Sequence, residues 1–122
     1  MKRINLSPSD ENLPYSQAIL SNGFVFTSGQ VPYDPETNQY LQEVGKATAK
    51  SLDNLSTLLD KAGSSLDKVI KITIFIKDMA IYDELNKAYS SYFSNHKPAR
   101  SCVVVADLAK DILMEIEAIA EL

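Results

Sequence analysis

Arg100 and the pair Glu115 and Glu117 are the residues of this chain whose types and spacing could do chemistry. Arg100 introduces the strand-like run Ser101-Cys102-Val103-Val104-Val105 directly after Lys97-Pro98-Ala99. An arginine there either reaches back to solvent or is held as a fixed guanidinium that grips a carboxylate through two parallel N–H groups; the pattern leaves both open. Glu115 and Glu117 alternate with Met114, Ile116, Ala118 and Ala120, so both carboxylates fall on one face of a strand. That face is either a solvated edge whose charges discourage aggregation, or a pocket wall where one carboxylate acts as general acid/base or orients water. His96, in the polar connection Ser94-Asn95-His96-Lys97, is expected in solvent. Cys102 reads as a small buried hydrophobe, with nothing near it in sequence to lower its pKa.

Several elements must position these groups. Ile19–Leu20 and Phe24–Thr27 flank Ser21-Asn22-Gly23, a hairpin signal because Asn and Gly both tolerate positive φ. The turn-rich stretch from Gln30 to Tyr40 reads as a loop. Leu52, Leu55, Leu59 and Ala62 recur at helical spacing, which predicts a helix from Glu43 to about Ala62, ended by Gly63. Val69 to Lys77 is the clearest strand, with Ile70, Ile72, Ile74 and Ile76 expected on one face. Asp78 is the expected N-cap of a second helix, about Ala80 to Phe93, with Ile81, Leu85, Ala88 and Tyr92 inward. Ser101–Ala106 and Leu113–Ala120 read as closing strands. This order predicts one α+β domain, residues 1–122, with two helices on one face of a mixed sheet. The other face, carrying Lys71, Thr73 and Phe75, has no helix left to cover it and is expected to meet another subunit.

Composition removes whole classes of chemistry. Twelve basic against sixteen acidic residues give a net charge of −4, which argues against nucleic acid, whose phosphates are bound by clustered cations. One cysteine and one histidine argue against a metal site within one chain, and four isolated glycines provide no phosphate loop. No cofactor is expected. The single cysteine cannot form an internal disulfide, and no apolar core follows Met1-Lys2-Arg3, so neither secretion nor a membrane is indicated and a cytoplasmic location is expected.

Four segments, in order along the chain, resemble the RidA/YjgF family, also labelled the L-PSP endoribonuclease or translation-inhibitor family. They are Pro14-Tyr15-Ser16-Gln17-Ala18, Thr27-Ser28-Gly29-Gln30, Asn86 ahead of Ala88 and Tyr89, and Pro98-Ala99-Arg100-Ser101-Cys102-Val103 followed by Glu115-Ile116-Glu117-Ala118-Ile119-Ala120. The resemblance implies a chorismate-mutase-like fold, a mixed, mostly antiparallel sheet assembled as a homotrimer around a barrel-like core, with pockets between subunits. It implies a cofactor-free hydrolase that converts 2-aminoacrylate and 2-iminobutanoate to 2-keto acids and ammonia. By position, Arg100 would hold the substrate carboxylate and Glu115 would direct water and protons. Ser28, Gly29 and Cys102 would line the site, Tyr15 would close it and Asn86 would support it.

The chain departs from the family pattern at three places: Leu13 before Pro14, a connection before Pro98 about three residues short and lacking an aromatic, and Ala109 after Leu108. The shortened connection bears on substrate range. Two alternatives to the deaminase follow: a non-catalytic regulatory trimer binding a small ligand in the same cleft, and an endoribonuclease, which the acidic balance disfavours.

Overall fold

Alternating apolar residues build a six-stranded sheet, and two amphipathic helices close over one of its faces. The structure is a computed structural model and describes residues 1–109 and 111–122. Along the chain run β1 (Lys2–Ile4), β2 (Ala18–Ser21), β3 (Phe24–Thr27), β4 (Tyr33–Asp34), β5 (Gln39–Tyr40), α1 (Val44–Lys61), β6 (Val69–Ile76), α2 (Tyr82–Tyr92), β7 (Ala99–Val104) and β8 (Met114–Glu121). The sheet order is β1-β2-β3-β8-β6-β7, antiparallel except where β6 and β7 run parallel through the α2 crossover. The Gln30–Tyr40 stretch, expected as a loop, contains the small hairpin β4–β5. The Asn-Gly turn forms as expected, with φ of 53° at Asn22 and 83° at Gly23, and it joins β2 to β3.

Burial on β8 is strictly alternating. Met114, Ile116, Ala118 and Ala120 face the helices, and Glu115, Glu117 and Ile119 face away. On β6 the alternation breaks once. Val69, Ile72, Ile74 and Ile76 are buried, but Ile70, expected among them, is 38% exposed. A register shift between Val69 and Lys71 inserts one residue against β8 and turns Ile70 out. Leu52, Leu55, Leu58 and Leu59 of α1 pack on this floor, each worth about 1.5–3 kcal/mol of burial.

Asp78 acts as a cap, but of the short 3-10 turn Met79–Ile81 that leads into α2 and not of α2 itself: its side chain accepts from the Ala80 amide, and α2 starts at Tyr82 behind Ile81 with no side-chain cap. Its inward stripe differs from the one read from sequence. Leu85, Tyr89 and Phe93 are buried, whereas Ile81 and Tyr92 are only partly so. Tyr92 is drawn to the flank, where its hydroxyl donates to Asp53 Oδ1 at 2.7 Å and ties α2 to α1. Burial, then the Asp53 carboxylate, push its phenol up to about 12. His96 was expected in solvent but is half-buried: its Nε2 meets the Val69 carbonyl and its ring lies edge-on to Phe93. The short connection is thereby tied to the start of β6, a structural role for the chain's one histidine.

The face opposite the helices carries Lys71, Thr73 and Phe75 of β6, Ser101 and Val103 of β7, and Glu115, Glu117 and Ile119 of β8. Phe24 and Phe26 of β3 extend it and are 36% and 42% exposed. Among the described residues no element covers it.

Candidate active site

The residues singled out from sequence separate into two groups that do not meet within one chain. Tyr15, Ser28, Gly29 and Glu115 form the first. The Ser28 amide donates to the Gln17 carbonyl at 2.8 Å, and its hydroxyl donates to the Ser16 carbonyl at 2.6 Å. Together they lock the end of β3 to the segment carrying Tyr15. Gln30 then bridges Ile116 of β8 in both directions, at 2.7 and 2.9 Å, which lays Gly29 beside Glu115. The contact is intimate: a Cβ on Gly29 would overlap the Glu115 carboxyl, with Cδ and Cγ only 2.5 Å away. Gly29 is therefore required for lack of a side chain, not for its backbone angles.

Glu115 opens with Tyr15, Gly29, Tyr33 and Ile112 onto a cleft of about 840 Å³, whose far wall includes Asn54 of α1. Asn54 holds the β4 side of that cleft by donating to the Val31 and Tyr33 carbonyls at 2.9 and 3.0 Å. Burial, and secondarily the Glu117 carboxylate on the same face, raise the Glu115 carboxyl above the usual glutamate value. A half-buried carboxyl held above the ordinary glutamate value is the kind of group that serves as a general acid or base. Tyr15 is half exposed on the cleft rim.

Arg100, Cys102 and Asn86 form the second group, on the other side of the sheet. Arg100 is in register with Ile72 and Ala118, and Cys102 with Ile74 and Ile116, so both project to the helix face. Glu115 is in register with Phe75 and Val103 on the open face. Two strand spacings separate Arg100 from Glu115, roughly 10 Å across the sheet, with about as much again along it. On its own side, Arg100 stacks on the Tyr89 ring, with Cζ 4.8 Å from the centroid, and donates from Nη2 to the Tyr82 hydroxyl at 3.1 Å. Among the described residues no carboxylate pairs with it. The buried Asn86 Oδ1 and Tyr89 hydroxyl lack hydrogen-bond partners nearby. A half-buried guanidinium without a counterion among the described residues, beside the unpartnered Tyr89 hydroxyl, has the donors an anion would need, while the Asn86 Oδ1 can only accept.

Burial raises the Cys102 thiol, partly offset by Arg100, so it sits here as a neutral group. The sequence reading missed Tyr82 and Tyr89. Their signal was present in their spacing with Asn86, at i, i+4 and i+7 along one helix face. Among the departures, Leu13 has φ −72°, which any residue adopts, and Ala109 lies on the cleft wall. Among the described residues no three His, Cys, Asp or Glu side chains are grouped to hold a metal, and no helix is long and apolar enough to cross a membrane.

The whole site-bearing span, residues 7–122, matches the family model described as Endoribonuclease L-PSP. A 2-iminobutanoate/2-iminopropanoate deaminase of Salmonella typhimurium is 40% identical over 110 residues, covering 88% of this chain and 86% of that protein. A RutC family protein of Pyrococcus abyssi is 44% identical over 108 residues, covering 88% and 85%. Among solved structures, a putative endoribonuclease of Thermotoga maritima superposes with a TM-score of 0.90 at 41% identity, covering 100% of this chain and 98% of that one. The E. coli protein TdcF with bound serine superposes at 0.84 with 40% identity, covering 89% and 88%. From the motif order, the sheet topology and these likenesses together, the chain belongs to the RidA/YjgF family.

Proposed function

We propose that this protein is a cofactor-free imine deaminase, acting on 2-aminoacrylate, 2-iminobutanoate and close relatives, in a homotrimer whose clefts lie between subunits. The observation that carries the reading is Arg100: a half-buried cation, flanked by aromatic rings, with no acidic partner among the described residues. A 2-imino acid has a carboxylate to fill that place and, beside it, a C=N carbon that is electrophilic once the nitrogen is protonated. The relatives named as deaminases support the same substrate class.

The chemistry asks little of the protein. Arg100 binds the carboxylate through two N–H groups. Glu115, ionised, takes a proton from water as its oxygen adds to the imine carbon. The resulting carbinolamine receives that proton on nitrogen, the C–N bond breaks as the carbinol hydroxyl passes its proton to the departing nitrogen, and ammonium and a 2-keto acid leave with Glu115 ionised again. Holding the two reactants in place and relaying one proton can supply large accelerations, with about 10² to 10⁴ from the acid/base step. Asn86 and Cys102 line the Arg100 side; Ser28, Gly29 and Tyr15 line the Glu115 side.

The geometry supports a shared site. Arg100 and Glu115 point away from opposite faces of one sheet, so they act on one substrate only if each comes from a different subunit. The uncovered face with Phe24 and Phe26 is the surface on which copies would join. A cytoplasmic location belongs to this reading.

The test generates the imines in situ with a serine/threonine dehydratase and times ammonia or keto-acid release. Wild type should accelerate release, and Arg100→Ala and Glu115→Ala, folded and assembled, should each lose at least about a hundredfold in kcat/KM. No acceleration by assembled wild type overturns the deaminase. Tight binding of a small carboxylate without turnover would instead establish a regulatory ligand-binding trimer. RNA cleavage that survives Arg100→Ala would point to the endoribonuclease, since a carboxylate clamp has no part in it.

A further inference from the structure

Arg100 is the anchor of the proposed reaction, yet an arginine side chain has several rotatable bonds and loses much freedom when fixed. Something must hold it in place before substrate arrives. Three groups on α2 stand under it. Tyr82, Asn86 and Tyr89 occupy positions i, i+4 and i+7, one face of the helix. The Tyr89 ring lies 4.8 Å from the guanidinium carbon, and the Tyr82 ring 5.7 Å. Nη2 donates to the Tyr82 hydroxyl at 3.1 Å. Tyr89 is 8% exposed and packs on Phe93 with centroids 4.9 Å apart, so its ring is fixed by the core.

The geometry points to Tyr82 and Tyr89 as positioning residues that preset the Arg100 guanidinium for carboxylate binding. The division of labour is chemical. Tyr89 offers its π face, which sets the plane of the guanidinium and stands in for a counterion without neutralising it. Tyr82 takes one N–H, which sets the rotation within that plane and leaves the other edge free for a carboxylate. An acidic residue in either place would hold Arg100 more strongly but would compete with the substrate. Two tyrosines hold it and leave the charge available. A lysine at position 100 has neither the planar face to stack nor the fork to share between tyrosine and ligand.

This inference rests on the reading of Arg100 as the carboxylate anchor, and two readouts separate the fate of each. The first needs no substrate. The chain has two arginines, Arg3 and Arg100, so guanidinium ¹⁵N NMR of the assembled protein is readily assigned with an Arg3→Lys variant. Wild type should show resolved Nη signals for Arg100, the mark of slow rotation about Nε–Cζ. Tyr82→Phe, which removes only the hydroxyl, should merge them. Tyr89→Phe, which keeps the ring, should leave them resolved, and Tyr89→Leu should merge them.

The second readout is the KM-against-kcat split. An anchor grips ground and transition states alike, so Tyr82→Phe should raise KM by about tenfold with kcat within about twofold of wild type. The dissociation constant of pyruvate should rise in parallel. Tyr89→Phe should rescue what Tyr89→Leu loses. If Tyr89→Leu fails to fold, Tyr82→Phe still decides the matter. Resolved Arg100 signals in Tyr82→Phe, or an unchanged KM and pyruvate affinity, overturn the positioning role. A wild type that shows the held guanidinium but neither turns over imines nor binds pyruvate leaves the clamp standing and removes the deaminase.

Discussion

At the residue scale, the proposed deaminase chemistry makes Gly29 and Glu117 matter through what they do to Glu115. The Glu115 carboxyl occupies the place a Gly29 side chain would take, so Gly29→Ala must drive the carboxyl into the cleft or away from it. The expected outcome is a fall in kcat of at least about tenfold at nearly unchanged keto-acid affinity, checked by kinetics beside pyruvate titration. Glu117 acts through charge. Burial and then Glu117 raise the Glu115 pKa, so the ionised form that accepts a proton from water is reached only at a higher pH than for an ordinary glutamate. The acid limb of kcat/KM is therefore displaced upward, and Glu117→Gln, which removes the second cause, should move it back to lower pH. For stability the sign is opposite to that of a salt-bridged carboxylate. A raised folded-state pKa means the native state holds its proton longer, so Glu115 costs nothing below its unfolded pKa. The cost grows as pH rises through the folded value. Glu115→Gln should accordingly flatten the loss of stability across that window, measured by denaturant unfolding at successive pH values. These couplings were hidden from sequence reading. Glu115 and Glu117 could be placed on one face by alternation, but the approach of Gly29 depends on a bridge between residues 30 and 116 that no local pattern encodes.

At the element scale, α2 and β6 show where periodicity carries information and where it stops. Four isoleucines at alternate positions imply one buried face, and three of them have it; the bulge at Val69/Lys71 frees Ile70. A bulge is fixed by pairing with a distant strand, here β8, and leaves no trace in the alternation of the strand's own sequence. For α2 the sequence contains two superposed stripes, because aromatic residues occur at 82, 89, 92 and 93. The choice between them is made by partners. Tyr89 and Phe93 meet the sheet, while Tyr92 finds Asp53 on α1. By contrast, the Asn-Gly turn, the Asp78 cap and the Gly63 stop were legible because each depends on chemistry local to a few residues. The Asp78 cap gives a prediction of its own. Asp78→Ala removes the acceptor for the Ala80 amide and should cost about 0.5–2 kcal/mol in denaturant unfolding. Because α2 also carries Tyr82 and Tyr89, the same variant should raise KM more than it lowers kcat.

At the scale of the whole molecule, the open face and the divided site are one fact seen twice. The sheet turns Glu115 and Glu117 to the uncovered face and Arg100 to the helices, so on the proposed reading a lone chain would hold two half-sites and no whole one. If trimers pair the Glu115 side of each subunit with the Arg100 side of its neighbour, two inactive variants can repair each other. Arg100→Ala keeps an intact Glu115 half and Glu115→Gln keeps an intact Arg100 half. Unfolded together and refolded as a mixture, equal amounts should assemble at random. A junction is intact when the Arg100 side comes from the Glu115→Gln chain and the Glu115 side from the Arg100→Ala chain, about one junction in four. The refolded mixture should thus recover about a quarter of wild-type activity, while each variant refolded alone stays inactive. A site contained in one chain predicts no recovery at any mixing ratio. The yield also discriminates between assemblies when a double variant carrying both changes is refolded with wild type. Each double-variant chain disables two junctions when its neighbours are wild type, but only one site if each chain works alone. The dose–response curve is then quadratic in the wild-type fraction for a shared site and linear for a private one.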